Sequence, residues 1–332
     1  MSSVLRATPF SVLDRAHVRA GEDAARALRD TVVFARQAEA LGYHRFWVAE
    51  HHGVPGVAGS APTVLAAAIA GATSRIRVGT GGVMLPNHRP MVVAEQFGVL
   101  EALFPGRIDM GLGRSVGFTE GIRKALGAGK DAADGFDAQL TELLGWFTGT
   151  QRTYPQVHAW PAEGLRPAPF VLAVGSGAEL AAAHGLPLVI GGRSEDDLLR
   201  SVDRYRAAFR PSAWAAAPYV VLSGTVAVAE DPEQARRLPA AEAWATAYSR
   251  SHGAFPPLEP YEAIAARAMT VQERERFEEA ASRQLYGTPE QVAKVLESLL
   301  IRSAADEYLV TTTGYDRAER LRSYELLAAL TH

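Results

Sequence analysis

The residues best suited to chemistry stand at positions 50–52, where Glu50, His51 and His52 follow the apolar run of residues 46–49. A short apolar run that ends in polar side chains is typical of a buried parallel strand leading into a site. An imidazole at such a strand end can gain or lose a proton near neutral pH. His51 is therefore the first candidate catalytic residue.

A metal site is the competing interpretation of the same residues. Neighbouring side chains on an extended strand point to opposite faces, so His51 and His52 cannot easily bind one ion. We therefore expect one imidazole in a pocket, with its neighbours holding adjacent elements, and no metal. The alternative, in which both histidines are ordinary hydrogen-bonded residues at the rim, stays open.

Other candidates also follow predicted strands. Gly81 and Gly82 have no side chains, which permits either the close approach of a flat ligand or a bulge in the strand. The remaining candidates are Asn87 and His88 after the third strand, Arg114 after the fourth, Gly175, Ser176 and Gly177 after the fifth, and Arg193 after the sixth.

Arg114 and the turn Gly175-Ser176-Gly177 together predict an anion site. The turn precedes a predicted helix, where free N–H groups attract anions, and a guanidinium matches the geometry of phosphate. Each signal alone also fits a tight connection or a solvated arginine. Their position on adjacent strands favours phosphate.

Eight predicted strands, alternating with helices, must bring these residues together. They cover residues 10–14, 43–49, 76–80, 108–112, 170–174, 188–190, 219–228 and 307–311. This alternation favours an α/β fold, a (β/α)8 TIM barrel with insertions after strands four and seven, over a doubly wound sheet. Because no linker or change of composition divides the chain, we expect a single domain over residues 1–332.

Composition excludes several classes of function. The formal net charge is −3 and charged residues make up 21% of the chain, so nothing indicates a nucleic-acid partner. The chain has no cysteine, which excludes disulfides and thiolate chemistry. No apolar run reaches the roughly 20 residues that span a bilayer. We expect a cytoplasmic enzyme without a membrane partner.

Ordered motifs over nearly the whole chain resemble the bacterial luciferase-like flavin monooxygenases. They are YHRFWVAEHH at 43–52, SAP at 60–62, AGATSRIRVG at 70–79, GVMLPNH at 82–88, AEQF at 94–97, PGRID at 105–109, GLGR at 111–114, GTPE at 287–290 and LRSYELL at 321–327.

The resemblance implies a two-component enzyme. Reduced FMN, supplied by a separate reductase, would react with O2 to a C4a-peroxyflavin that hydroxylates, epoxidises or inserts oxygen into a small organic substrate, for example an aromatic polyketide or another secondary metabolite. By position, His51 matches the catalytic histidine, and the Gly81-Gly82 bond matches a non-prolyl cis peptide beside the flavin ring. Arg114 and Ser176 match phosphate-binding positions.

The resemblance also implies two larger features. Residues 240–285 match a mobile segment over the site, and the helices near 62–72 and 92–104 match a homodimer interface. Asn87, His88 and Arg193 are then candidates for the substrate pocket or its lid.

The chain departs from the family's pattern at the predicted phosphate site. The loop after strand five is short, and Glu179 adds a negative charge near it. We therefore expect weak FMN binding, as for a co-substrate. Two alternatives remain, a deazaflavin-dependent oxidoreductase on the same barrel and a non-catalytic flavin-binding paralogue.

Overall fold

A computed structural model describes residues 3–173, 177–191 and 194–331. Each of eight parallel strands pairs with the next, and the last pairs with the first, so the sheet closes into a barrel. The predicted (β/α)8 barrel is confirmed. The strands are β1 (Phe10–Asp14), β2 (Arg45–Val48), β3 (Arg77–Thr80), β4 (Ile108–Gly113), β5 (Ala168–Ala173), β6 (Leu188–Ile190), β7 (Val220–Val228) and β8 (Glu307–Thr311).

Helices surround the barrel. They are α1 (Ser3–Ala7), α2 (Ala24–Ala40), α3 (Pro62–Ala72), α4 (Pro90–Leu103), α5 (Glu120–Leu126), α6 (Phe136–Thr148), α7 (Gly177–Ala183), α8 (Glu195–Ala208), α9 (Pro232–Arg237), α10 (Ala240–His252), α11 (Tyr261–Ala265), α12 (Val271–Ser282), α13 (Pro289–Ser303) and α14 (Arg317–Thr331). Short 3-10 helices cover Leu85–Asn87 and Lys130–Gly135, and Val83–Met84 and Leu285–Gly287 are short extra strands. Of the helices in the described ranges, none is both long and apolar enough to cross a membrane.

Local sequence signals explain where the helices begin. The Asp23 carboxylate accepts a hydrogen bond from the Arg26 N–H at 2.7 Å, which caps α2. Pro62 and Pro90 open α3 and α4, at positions where a missing N–H costs nothing. The loops after β2 and β3 therefore end where Pro62 and Pro90 begin α3 and α4.

The core has two layers. The larger lies between the strands and the helices, and the smaller fills the barrel with inward-facing residues that include Leu13, Trp47, Phe170, Val189 and Leu309. All five residues of β1 and all four of β2 are buried, as expected for strands covered on both faces. The inner layer gives the site an apolar floor.

A buried ionic network closes the opposite end of the barrel. Arg45 donates to Asp109 at 2.9 Å and to Glu307 at 3.0 Å, and the Trp47 indole N–H donates to Asp109 at 2.9 Å. Arg45 and Glu307 are the first residues of β2 and β8, and Asp109 is the second residue of β4. In barrels of this type, residues at this end contribute to stability. The candidate site lies at the other end of the barrel, at the C-terminal ends of the strands.

Residues 240–285 form a helical segment with a small core of its own, which includes Trp244, Leu258 and Ile264. The segment is attached to the loop after β1. The Leu258 N–H donates to the Val18 carbonyl at 2.9 Å, and the side chains of Arg15 and Glu242 form an ion pair. Neither of the two cavities described below is lined by a residue of this segment.

Candidate active site

Two adjacent cavities lie at the C-terminal ends of the barrel strands. The first, here called the histidine cavity, has a volume of about 370 Å³, and the second, the arginine cavity, about 340 Å³. Ser115 and Leu172 line both of them. Each volume falls in the range of roughly 300–1,000 Å³ that ligand sites occupy.

His51 lines the histidine cavity and is held there by its backbone. Its N–H donates to the Gly59 carbonyl at 2.8 Å. Its side-chain Nδ1 is buried and has no hydrogen-bond partner among the described residues. Burial, together with the charge of Arg15, lowers the pKa of His51 to about 4. The imidazole is therefore neutral at pH 7.

Glu50 also lines the histidine cavity and belongs to a hydrogen-bonded cluster. One carboxylate oxygen accepts from His52 Nε2 at 2.6 Å and from His88 Nε2 at 2.8 Å, and the other accepts from the Met84 N–H at 2.9 Å. Burial raises the pKa of Glu50, but these hydrogen bonds outweigh burial and hold the pKa below its usual value. The structure thus places His88 against Glu50, outside the linings of both cavities.

Backbone forms the wall of the histidine cavity at Gly81 and Gly82. The peptide bond between them is cis, in agreement with the family resemblance. A Cβ on Gly81 would lie 2.6 Å from Leu13 Cδ1, and one on Gly82 would lie 2.9 Å from the Gly111 carbonyl oxygen. Side chains at these two positions would displace their neighbours.

The arginine cavity combines a cation and hydroxyl groups above an apolar floor. Arg114 is exposed at its rim and forms no ion pair or hydrogen bond with the described part of the chain. Ser115 and Ser223 add hydroxyls, and Gly177 also lines the cavity. The sequence placed Ser115 beside Arg114 among the candidates after the fourth strand, but sequence reasoning missed Ser223, although Ser223 interrupts the apolar run of β7.

Several predicted residues lie elsewhere. Gly175, Ser176 and Arg193 are outside the described residues. Asn87 is in the 3-10 turn, where both polar atoms of its side chain are buried without a partner in the described chain, and it lines neither cavity. Sequence reasoning also missed the apolar lining of the histidine cavity, which includes Val54, Met84, Val116 and Phe118.

The chain matches a family model and two named proteins. The family model for luciferase-like monooxygenases matches residues 8–307. A protein of Escherichia coli (strain K12) named luciferase-like monooxygenase is 36% identical over 324 residues, which cover 96% of this chain and 95% of that protein. The N-acetyl-S-alkylcysteine monooxygenase of Bacillus subtilis (strain 168) is 45% identical over 163 residues, 49% of this chain and 47% of that enzyme.

A solved structure matches the whole fold. The crystal structure of apo-MsnO8 is 32% identical to this chain, with a TM-score of 0.84, and the match covers 97% of this chain and 98% of that one.

Proposed function

The chain belongs to the luciferase-like monooxygenase family of oxidoreductases, and we propose that it uses reduced FMN from a separate reductase, together with O2, to oxygenate a small organic molecule. One observation carries this proposal. The cavity with the neutral His51 adjoins, at Ser115 and Leu172, the cavity with Arg114, which has no ion-pair partner among the described residues. Such a pair of cavities suits a ligand with a flat reactive end and an anionic end.

The residues present fit FMN. The wall at Gly81 and Gly82 offers backbone against which a planar ring can lie. Arg114 has no competing carboxylate partner among the described residues, and Ser115 and Ser223 supply hydroxyls for a ribityl phosphate tail. Gly175, Ser176 and Gly177 complete the proposed phosphate site, and its single arginine agrees with weak binding as a co-substrate.

Reduced FMN bound there would supply the electrons that activate O2. His51, which lines the cavity, is proposed to hold or accept a proton there. Its low pKa keeps the ring neutral, so it can act as a base at physiological pH. Val116 and Phe118 form an apolar side of the cavity that limits the entry of water.

The substrate site is proposed in the histidine cavity. Its lining by Val54, Met84 and Phe118 suits an organic molecule whose reacting part is apolar. His88 acts on this site through its hydrogen bond to Glu50. Asn87 and Arg193 are candidates for contacts with the substrate or the lid. The partial match to an N-acetyl-S-alkylcysteine monooxygenase makes thioethers the first compounds to test, followed by aromatic ketones.

Residues 240–285 are proposed as a lid. Their ion pair between Glu242 and Arg15 ties them to the loop that carries the charge nearest to His51. A lid in this place would exclude water during the reaction.

A homodimer is proposed through α3 and α4. Exposed apolar side chains lie on both helices, with Val64 68% and Leu103 64% exposed, and Val92 and Val99 nearly half exposed. Such a group of apolar residues is typical of a protein interface. The reductase is proposed as a transient partner, since reduced FMN can diffuse between the two proteins.

Isotope labelling tests the proposed reaction. The protein is incubated with a thioether or aromatic ketone, 18O2, FMN, NADH and an unrelated flavin reductase, and products are analysed by mass spectrometry. We expect one 18O atom per product, only when FMN and the protein are both present. A product that forms without O2 from a reduced deazaflavin, or oxygenation at the same rate without the protein, would contradict the proposal.

A further inference from the structure

We propose that Glu50, His52 and His88 form a binding site for one divalent transition-metal ion of the zinc class. The proposed function rests on His51 and Arg114, and this site uses other side chains. It lies at the rim formed by the end of β2 and the loop after β3, where Glu50 and His52 also line the histidine cavity.

The first support is geometry. One ligand atom from each of the three side chains lies within 4.8 Å of the other two. Both histidines direct Nε2 at the same oxygen of Glu50, at 2.6 and 2.8 Å. Two imidazoles and one carboxylate are a ligand set that zinc sites with an open position use. Glu50 and His52 are two residues apart on an extended segment, so they share a face.

The second support is charge. Glu50 is 4% exposed, yet among the described residues it has no lysine or arginine partner. Of the five other buried carboxylates, four do have one, since Asp14 pairs with Arg320, Glu242 with Arg15, and Asp109 and Glu307 with Arg45; Glu101 has none among the described residues. A buried carboxylate without a permanent cation is costly, and a divalent ion supplies the missing charge.

The third support is orientation. The Met84 N–H holds the second carboxylate oxygen at 2.9 Å, which leaves the first oxygen directed at the histidines. A backbone donor that fixes a ligating group in this way is common in metal sites. The side chains of His52 and His88 are 19% and 31% exposed, so an ion can enter and a further ligand can bind.

Only a small movement is needed to accommodate the ion. Bonds of about 2.0–2.1 Å in tetrahedral geometry place ligand atoms roughly 3.3 Å apart. The two hydrogen bonds must therefore lengthen by about half an ångström. Each imidazole binds after the proton on Nε2 moves to Nδ1, so neutral histidines suffice.

Titration of the purified, chelator-treated protein with ZnCl2 tests the proposal. Isothermal titration calorimetry is expected to show one ion bound per chain, and CoCl2 is expected to give the visible absorption of a low-symmetry site. His88→Gln and His52→Gln should each weaken zinc binding at least about tenfold. Zinc should raise the unfolding temperature of the wild type more than that of His88→Gln.

Two histidine variants serve as matched controls. His51→Gln removes the adjacent imidazole, and His184→Gln removes a surface histidine that pairs with Asp137. Both should bind zinc within about twofold of the wild type. Absence of stoichiometric binding to the wild type would overturn the proposal, as would unchanged affinity in His88→Gln, whose partly exposed side chain makes misfolding a small risk. Neither result bears on oxygenation, which is measured separately.

Discussion

At the scale of single residues, the structure distinguishes three neighbouring polar side chains by their partners. All three line the histidine cavity, but Glu50 and His52 are hydrogen-bonded to each other, whereas the buried Nδ1 of His51 has no partner among the described residues. The alternation of side chains along an extended segment predicted different roles for these residues. The sequence did not show that His88, distant in the chain, joins the pair, because that contact depends on the path of the loop after β3.

His51→Gln tests the role of the free imidazole. We expect the turnover rate for oxygenation to fall at least about 100-fold, because the proton-transfer group is lost. Flavin affinity should change far less, since Gln keeps the size of the side chain. The matched control His184→Gln should retain full activity. In the wild type, the rate should show no titration of His51 between pH 6 and 8, since the pKa of His51 is about 4. Full activity in His51→Gln would disprove the role.

At the scale of elements, β3 and β4 approach so closely that glycine is required between them. A Cβ on Gly111 would lie 1.9 Å from the Thr80 carbonyl oxygen, and one on Gly79 would lie 2.3 Å from that of Asp109. The obstacles are backbone atoms, which cannot rotate away. This packing positions the ends of both strands, where Gly81, Gly82 and Arg114 follow.

Gly111→Ala should therefore destabilise the protein by about 1–3 kcal/mol, the usual cost of overpacking. Gly135→Ala is the matched control, because a Cβ there meets nothing within 4 Å and its φ is −78°. Urea unfolding of both variants measures the difference. Equal stability of the two variants would show that β3 and β4 can separate without cost.

The positions of the strands were largely predictable from the sequence, and the ion pairs between their charged residues were not. Apolar runs bounded by turn signals located all eight strands, because strands buried on both faces have a strong pattern. The predicted strands at 43–49 and 170–174 differ from β2 and β5 by up to two residues at their ends. The network of Arg45, Asp109 and Glu307 was not predicted, since charged residues at strand starts normally reach solvent.

At the scale of the whole molecule, the family and the barrel were predicted and are confirmed, and the cavity linings were not. Val54 and Phe118 come from two different connections and Ser223 from β7, and only folding brings them to the same end of the barrel. The single-domain organisation, the cytoplasmic location and the weak binding of FMN stay predictions, as does the homodimer.

A charged substitution on α3 tests the dimer. Val64→Glu should shift the protein from dimer to monomer in sedimentation velocity experiments, because a buried, unpaired carboxylate at an interface is costly. Val271→Glu is the control, since Val271 is a similarly exposed valine on α12, away from the proposed interface. A wild type that is monomeric at micromolar concentration would contradict the proposed interface.

The free energy of unfolding should decrease as the pH falls, because the side chains of His17 and His51 are buried in the neutral form. Burial lowers the pKa of His17 to about 3 and that of His51 to about 4. Both values lie below the unfolded value of about 6.5, so their contribution is complete above pH 6.5 and is lost as the pH falls. At pH 5 the loss is about 2 kcal/mol for each histidine.

Urea unfolding at pH 7.5 and pH 5 measures this loss. In His17→Gln, the difference in unfolding free energy between the two pH values should be about 2 kcal/mol smaller than in the wild type. A difference as large as in the wild type would show that His17 does not contribute.

Anaerobic titration with reduced FMN and reduced riboflavin tests most directly whether a flavin spans the two cavities. The wild type should bind reduced FMN at least about tenfold more tightly, because a phosphate pairs with Arg114 in a charge-assisted bond. Arg114→Gln should lose most of this preference, whereas Arg152→Gln, on a loop at the opposite end of the barrel, should keep it. Equal affinities for the two flavins in the wild type, or an unchanged preference in Arg114→Gln, would contradict the proposed site.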